Sequence, residues 1–341
     1  MVKKIVIAAA SAIMFLLSGL NAGAATLKLA SIAPEGSFWM TEMRKGAEEI
    51  KKRTEGRVVL KFYGGGVMGN EKSVLRKIRI GQLQGGAFTA TGLSEVYPDM
   101  RLYGLPMVFR TEEEVDFVRS RMDKKLLEGL EKAGFVSFGF GEGGFALFMS
   151  HFPVRSLDDL KGKKVWIPRD DLISETGMKH LGLSPISLPI TDVLTGLQTG
   201  LLDSVATPPV GAIAFQWHVK VTYLTDTPLA YTYATLVVDK GAFMRLSPGD
   251  QGIVREVMGG IYDLFNRRNR ADNREAYEAL LKHGLEVVRP EAKEVALWRK
   301  KSEEVCLQLQ KDGAFDAALY NEMQGYLGEL RKKSGSRTAA Q

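Results

Sequence analysis

Short apolar runs alternate with segments of helical period from Leu27 to about Leu330, which predicts α/β architecture built on a mostly parallel sheet flanked by helices. The alternation is densest over 157–209. Ser156 and Asp159 have capping-box spacing, so a short helix starts there and Gly162 stops it before a strand over 164–167. Pro168 ends that strand. A helix over 173–181, a strand over 184–188, a helix over 192–198 and a strand over 204–206 follow, with Gly182 and Gly200 as helix stops. In such sheets ligands sit beyond the carboxyl ends of the strands, here near Trp166–Arg169 and Thr207–Pro209.

The first half repeats the pattern. A strand over 26–30 leads through a loop to a helix over 37–54, whose buried face is set by Met43, Ala47 and Ile50. A strand over 58–62, a glycine loop through Gly64, Gly65, Gly66 and Gly69, and a helix capped by Asn70 come next. Thr111 and Glu114 form a second capping box, predicting a helix to about Arg121 and a further one over 124–133. A strand over 135–140 then runs into Gly139-Phe140-Gly141-Glu142-Gly143-Gly144, a literal G-x-G-x-x-G. A dinucleotide site needs a helix after that motif, and the apolar run 145–150 is β-like, so the glycines read instead as an interdomain crossover.

The chain crosses back in a strand near 232–238 and enters its longest helix, capped by Ser247 with Pro248 in the first turn. Little stops that helix before Gly284, and about 35 residues at 1.5 Å each give ~50 Å, enough to span two domains. The competing expectation is two helices broken over 267–273, where the run is polar all round. A strand over 286–288 and two helices over 290–328, packing the second domain, complete the chain.

Composition changes the picture little. The 341 residues are 45% apolar and 25% charged, ordinary for a globular protein of two domains. Lys3 and Lys4, the apolar run 5–20 and the small residues Ala22–Ala25 read as a secretory signal peptide over 1–25. No later stretch is apolar enough to cross a bilayer. Removing Lys3 and Lys4 lowers the formal charge from +6 to +4, and several of the positive residues fall in 331–341, a segment expected to be a frayed, flexible tail. The body carries no nucleic-acid signature. Cys306, the single cysteine, lies in a periodic helix and reads as a buried small hydrophobe.

Three motifs carry a family resemblance: Asp-Leu-Lys-Gly-Lys-Lys-Val-x-Ile-Pro at 159–168, Leu-Gly-x-x-Pro at 181–185, and Gly-Leu-Gln-x-Gly-x-x-Asp ending in Pro at 196–208. With Lys51–Val58, Met68-Gly69 and Leu105-Pro106, they resemble the DctP-type periplasmic solute-binding subunits of TRAP transporters over nearly the whole mature chain. The resemblance implies a two-lobed periplasmic-binding-protein fold with a long spine helix spanning both lobes. It divides the chain into lobe I (26–148 and 236–275) and lobe II (149–235 and 276–330). It also implies a monomeric periplasmic receptor that closes on a small organic solute and delivers it to TRAP membrane permease subunits driven by an ion gradient.

The ligand positions depart from the family. Most DctP-like proteins hold a carboxylate with arginines, whose planar forks make paired charge-assisted bonds. By resemblance those arginine positions are Trp166 and Ala146 here, and the family asparagine before proline is Thr207, followed by Pro208. Two readings follow. Arg169 could supply a displaced guanidinium for a C4-dicarboxylate or another organic acid. Alternatively the cleft is apolar, walled by Trp166, Phe88, Phe148 and Ile190, with Thr89 and Phe38 at its border, and takes a solute with a large apolar part, with or without one carboxylate. The second reading is preferred, since an unpaired buried carboxylate costs several kcal/mol, on the order of the full desolvation penalty.

Catalysis finds little support. There is no G-x-S-x-G, no H-E-x-x-H and no metal-ligand spacing, and His151, His180, His218 and His283 stand far apart in sequence. A periplasmic hydrolase is therefore the minor alternative. No cofactor or metal is expected.

Overall fold

The computed structural model describes residues 24–338, with side chains to 333. Of the expected signal segment only Ala24 and Ala25 fall inside that range, and Ala25 already opens strand β1 (Ala25–Ala30). Parallel pairing joins β1 to β2 (Val58–Tyr63) and to β3 (Gly85–Thr89). Between them lie α1 (Phe38–Arg53), capped by Ser37, and α2 (Glu71–Arg79), capped by Asn70. The predicted face of α1 is the buried one: Met40, Met43, Ala47 and Ile50 pack on the sheet, each large side chain contributing about 1.5–3 kcal/mol.

The Thr111 hydroxyl accepts from the Glu114 amide and starts α3 (Glu112–Lys132), one continuous helix where two were expected. Val118, Met122, Leu126 and Leu130 carry a single buried stripe through the polar residues that suggested a break. Strand β4 (Phe135–Ser137) follows, then β5 (Gly141–Ser150). The G-x-G-x-x-G run thus leads into a strand with no helix after it, which removes the dinucleotide reading. Gly144 has φ +98°, and a Cβ there would lie 2.6 Å from the Asn273 amide nitrogen, so glycine permits the close packing of the spine at this crossing.

The second lobe runs β6 (Trp166–Pro168), α4 (Leu172–His180), β7 (Ile186–Leu188), α5 (Val193–Gln198), β8 (Ser204–Thr207) and α6 (Pro209–Ala214). Both halves of the Ser156/Asp159 capping box are present. Strands β6 and β7 pair in parallel, and Val165 bridges Ser204 in parallel. The return strand β9 (Tyr223–Asp239) is longer than the 232–238 expected. It pairs with β5 and β10 (Glu286–Val288) near its start and with β3 and β4 near its end. Every antiparallel pairing involves β5 or β9, the two strands that pass between lobes.

The spine is one helix, α7 (Pro248–Lys282), 35 residues long. Its polar stretch does not break it, because those side chains dock on the crossover strand. Asn269 donates to the Glu142 carbonyl at 2.7 Å and Asn273 to the Gly143 carbonyl at 2.9 Å, while Arg270 forks onto Asp116. Helix α8 (Ala292–Lys311) packs on α4, as expected for the second lobe. Helix α9 (Ala317–Thr338) does not. It lies on α3, with Tyr320, Met323 and Leu327 in the same core as Val118 and Met122. The tail expected over 331–341 is also corrected in part: α9 continues through Thr338, and Arg331 forks onto Glu114 at 2.7 and 3.0 Å. Long-range charge pairing anchors what lacks local apolar period. Cys306 is buried in the core, and burial pushes its thiol up to about 12.

Candidate ligand-binding site

A cavity of about 630 Å³ opens between the lobes where β5, β6, β8, β9 and the spine converge. It lies at the carboxyl ends of β6 and β8, as the strand pattern predicts. Most of its wall is apolar. Trp166 is 6% exposed, and its indole N–H donates to the Leu188 carbonyl at 3.0 Å. Its ring meets Trp217 edge-on at 5.1 Å, and Trp217 stacks on Phe215, so one aromatic column forms this side of the cavity. Opposite stand Phe38 and Trp39, both packed on Phe265 of the spine.

Ala146, Phe148, Thr207, Pro208, Ile190 and Thr89 also line the cavity. Ala146 and Phe148 sit on β5, where Phe148 pairs with Ala206 and neighbouring Leu147 with Thr207. Gly211 leaves room for the Thr207 hydroxyl, which a Cβ at 211 would meet at 2.4 Å. Thr89 is partly committed elsewhere: its hydroxyl caps the turn Ala90–Leu93 and donates to Glu71 at 3.1 Å.

Two expected residues are not part of this wall. Phe88 is 1% exposed and packs in the first-lobe core with Val74 and Met100. Strand β3 is buried on both faces, so alternation could not tell which side each residue takes. Arg169 is exposed and lines a separate chamber beside the cavity. Its amide bonds to Leu188, and Asp170, at φ +62°, turns the chain away before α4 begins. A displaced guanidinium inside the main cavity is therefore not available from Arg169.

Sequence reasoning missed Trp298 on α8 and the acids Asp171 and Glu142, all lining the cavity. Trp298 is buried, and its indole N–H has no partner among the described residues. Asp171 caps α4, accepting from the Ile173 amide and the Ser174 hydroxyl, and burial raises its pKa. Burial likewise raises that of Glu142, opposed by the nearby Arg270 and Arg119 guanidinium groups. Among the described residues no arginine lines the cavity, and the one basic residue there, Lys301, is paired with Glu304 at 2.8 Å. Folding does gather two of the distant histidines, His218 and His283, with ring centroids 4.9 Å apart. No group of three or more metal-ligating side chains occurs among the described residues.

The profile of the bacterial extracellular solute-binding proteins, family 7 (DctP), matches residues 29–312. The chain belongs to that family. It is thus a DctP-type solute-binding subunit of a TRAP transporter, a receptor and not an enzyme. The C4-dicarboxylate-binding periplasmic protein DctP of Rhodobacter capsulatus is 26% identical over 270 residues, 76% of this chain and 80% of that protein. Two solved structures share the two-domain fold. One is the galactonate-bound sugar acid binding protein DctPAm from Advenella mimigardefordensis, with TM-score 0.82 and 20% identity over 90% of this chain and 98% of that one. The other is a TRAP periplasmic solute binding protein from Xanthobacter autotrophicus with bound β-D-galacturonate, with TM-score 0.80 and 22% identity, covering 88% and 98%. Trp166 and Ala146 are the residues expected by resemblance at carboxylate-binding positions. Both line the cavity and neither can form a salt bridge.

Proposed function

We propose that this receptor captures a solute with a large apolar body and delivers it, in the periplasm, to TRAP membrane permease subunits. The observation that carries the reading is the composition of the cavity wall: aromatic on two sides, without arginine among the described residues, and with its one basic side chain, Lys301, already paired with Glu304. A small dicarboxylate or sugar acid there would lose its water without gaining an unpaired cation, since Lys301 is engaged by Glu304, at a cost of several kcal/mol, on the order of the desolvation of an unpaired ion. An apolar body covering Trp166 and Phe148 gains about 25 cal/mol for each Å² removed from water. Among the described residues no helix is long and apolar enough to cross a membrane, in keeping with a receptor that meets its permease from outside the bilayer.

We infer binding by hinge closure, with ligand contacts from both lobes favouring the closed state by their differential affinity. Trp166, Phe148, Ala146, Ile190, Thr207, Pro208, Thr89 and Phe38 are the contacts assigned to this role. The test is a thermal-shift panel setting succinate, galacturonate and gulonate against apolar aromatic and aliphatic solutes. Saturation at 100 Kd stabilises by about 2.7 kcal/mol, so an apolar solute should give a clear, saturable rise and the small acids none. A rise with succinate or galacturonate alone would overturn the reading.

A further inference from the structure

Beside the cavity lies a second chamber of about 280 Å³, and Thr91, Pro168 and Ile190 belong to the walls of both. Its charged residues are three acids and three bases, Glu71, Glu95 and Asp170 against Lys72, Arg101 and Arg169. The partners are unevenly spread. Lys72 and Asp170 pair with each other across the lobes at 3.2 Å, and Glu95 pairs with Arg79 outside the chamber at 3.2 Å. Glu71 is engaged by the Thr89 amide at 2.6 Å and the Thr89 hydroxyl at 3.1 Å. That leaves two arginines without a bonded carboxylate among the described residues.

Arg101 is half-buried and spends one N–H on the Ala314 carbonyl at 2.9 Å. Asp171 and Asp99 attract it through space, but Asp171 is committed to the cap of α4 and Asp99 to the Asp316 amide. Arg169 has no side-chain partner among the described residues. A guanidinium offers five donors in a fixed fork, so most of this donor capacity is unused. Arg101 comes from the first lobe and Arg169 from the second. An anion held by both would therefore tie the lobes together at the rim of the apolar cavity.

We propose that the chamber is the head-group site of an amphipathic solute, whose carboxylate is held by Arg101 and Arg169 while its apolar body fills the adjoining cavity. The inference rests on the apolar-cavity reading above and extends it to a ligand class: monocarboxylates with a long or aromatic tail. Glu71, raised to about 7 by burial, adds no full negative charge below neutrality to oppose such a head group.

The test uses matched acid and alcohol probes, decanoate with decan-1-ol and 2-naphthylacetate with 2-(2-naphthyl)ethanol, titrated calorimetrically into the whole mature chain. In the unmodified protein each acid should bind about 10- to 100-fold more tightly than its alcohol, the range expected for charge-assisted bonds gained. In the Arg101→Gln/Arg169→Gln double variant the acid-to-alcohol ratio should fall to about one, with alcohol binding by that variant reporting an intact fold. Equal binding of acid and alcohol to the unmodified protein would overturn the head-group site and leave the apolar cavity standing. So would an acid preference that survives in the double variant. Failure of all four probes, with succinate or galacturonate bound instead, would overturn both.

Discussion

Replacing Trp166 by alanine asks whether this residue of the cavity lining is a packed wall or an incidental aromatic. The ring is 6% exposed, makes one hydrogen bond to Leu188 and meets Trp217 edge-on. Truncating such a side chain costs about 3–5 kcal/mol. Trp166→Phe is the milder control. It forfeits an N–H donor worth about 1 kcal/mol, but the Leu188 carbonyl keeps the Arg169 amide at 3.1 Å, so no acceptor is orphaned. A phenyl ring retains part of an edge contact worth about 0.5–1.5 kcal/mol, which puts the control at roughly 1–2 kcal/mol. With an unfolding entropy of about 2.1 cal/mol/K per residue, a chain of roughly 300 residues loses about 1.5 °C of Tm per kcal/mol. The melting temperature should therefore drop by about 5–8 °C for alanine and about 2–3 °C for phenylalanine in differential scanning calorimetry. An alanine variant melting within about 1 °C of the parent would refute the packed-wall account.

Three further outcomes follow from the same reasoning. Glu71 carries a folded pKa of about 7 because burial disfavours its charge, so the folded state binds its proton more tightly than the unfolded state does. Its contribution to stability is greatest below pH 4.5 and is lost as pH rises through 7, on the order of 2 kcal/mol; denaturant titrations from pH 5 to 8 should show that slope, and Glu71→Gln should flatten it. Arg331→Ala leaves the Glu114 carboxylate, 7% exposed at its side chain, without its forked partner and should cost about 3 kcal/mol in urea unfolding, whereas Lys333→Ala at an exposed pair should stay within about 0.5. Cys306 should resist iodoacetamide in the native protein and label fully in denaturant; native labelling at the rate of a free thiol would contradict its burial.

Local signals carried the fold well. The caps at Asn70, Thr111, Ser156 and Ser247 are short-range chemistry, fixed within four residues, and each one starts the helix it predicts. The break expected after Arg121 is bridged by the buried stripe of Val118, Met122 and Leu126, and the competing reading of two helices broken over 267–273 failed for another reason. A polar stretch reads as a helix end only when its side chains face solvent, and in the spine Asn269, Arg270 and Asn273 face the crossover strand and Asp116. Arg331 repeats the lesson at the C-terminus, where its partner Glu114 is 217 residues away.

The cavity was legible in part. Trp166 and Thr207 lie on strands whose carboxyl ends face the cleft, so position in the pattern sufficed for them, whereas Ala146, in the middle of β5, was placed by resemblance alone. Phe88 was misplaced because a strand buried on both faces has no readable side. Arg169 was misplaced because one left-handed residue, Asp170, redirects the chain just after Pro168, and nothing in the residue types marks that turn. Trp298 and Arg101 reach the site from segments far along the chain. Only the fold brings them there.

The measurement that tests the central claim most directly is native mass spectrometry of the protein isolated from its own cells, followed by denaturation and identification of the released molecule. The account predicts a solute with a long aliphatic or aromatic body, and a single carboxylate if the head-group chamber is used. A released C4-dicarboxylate or sugar acid, bound one to one, would contradict it.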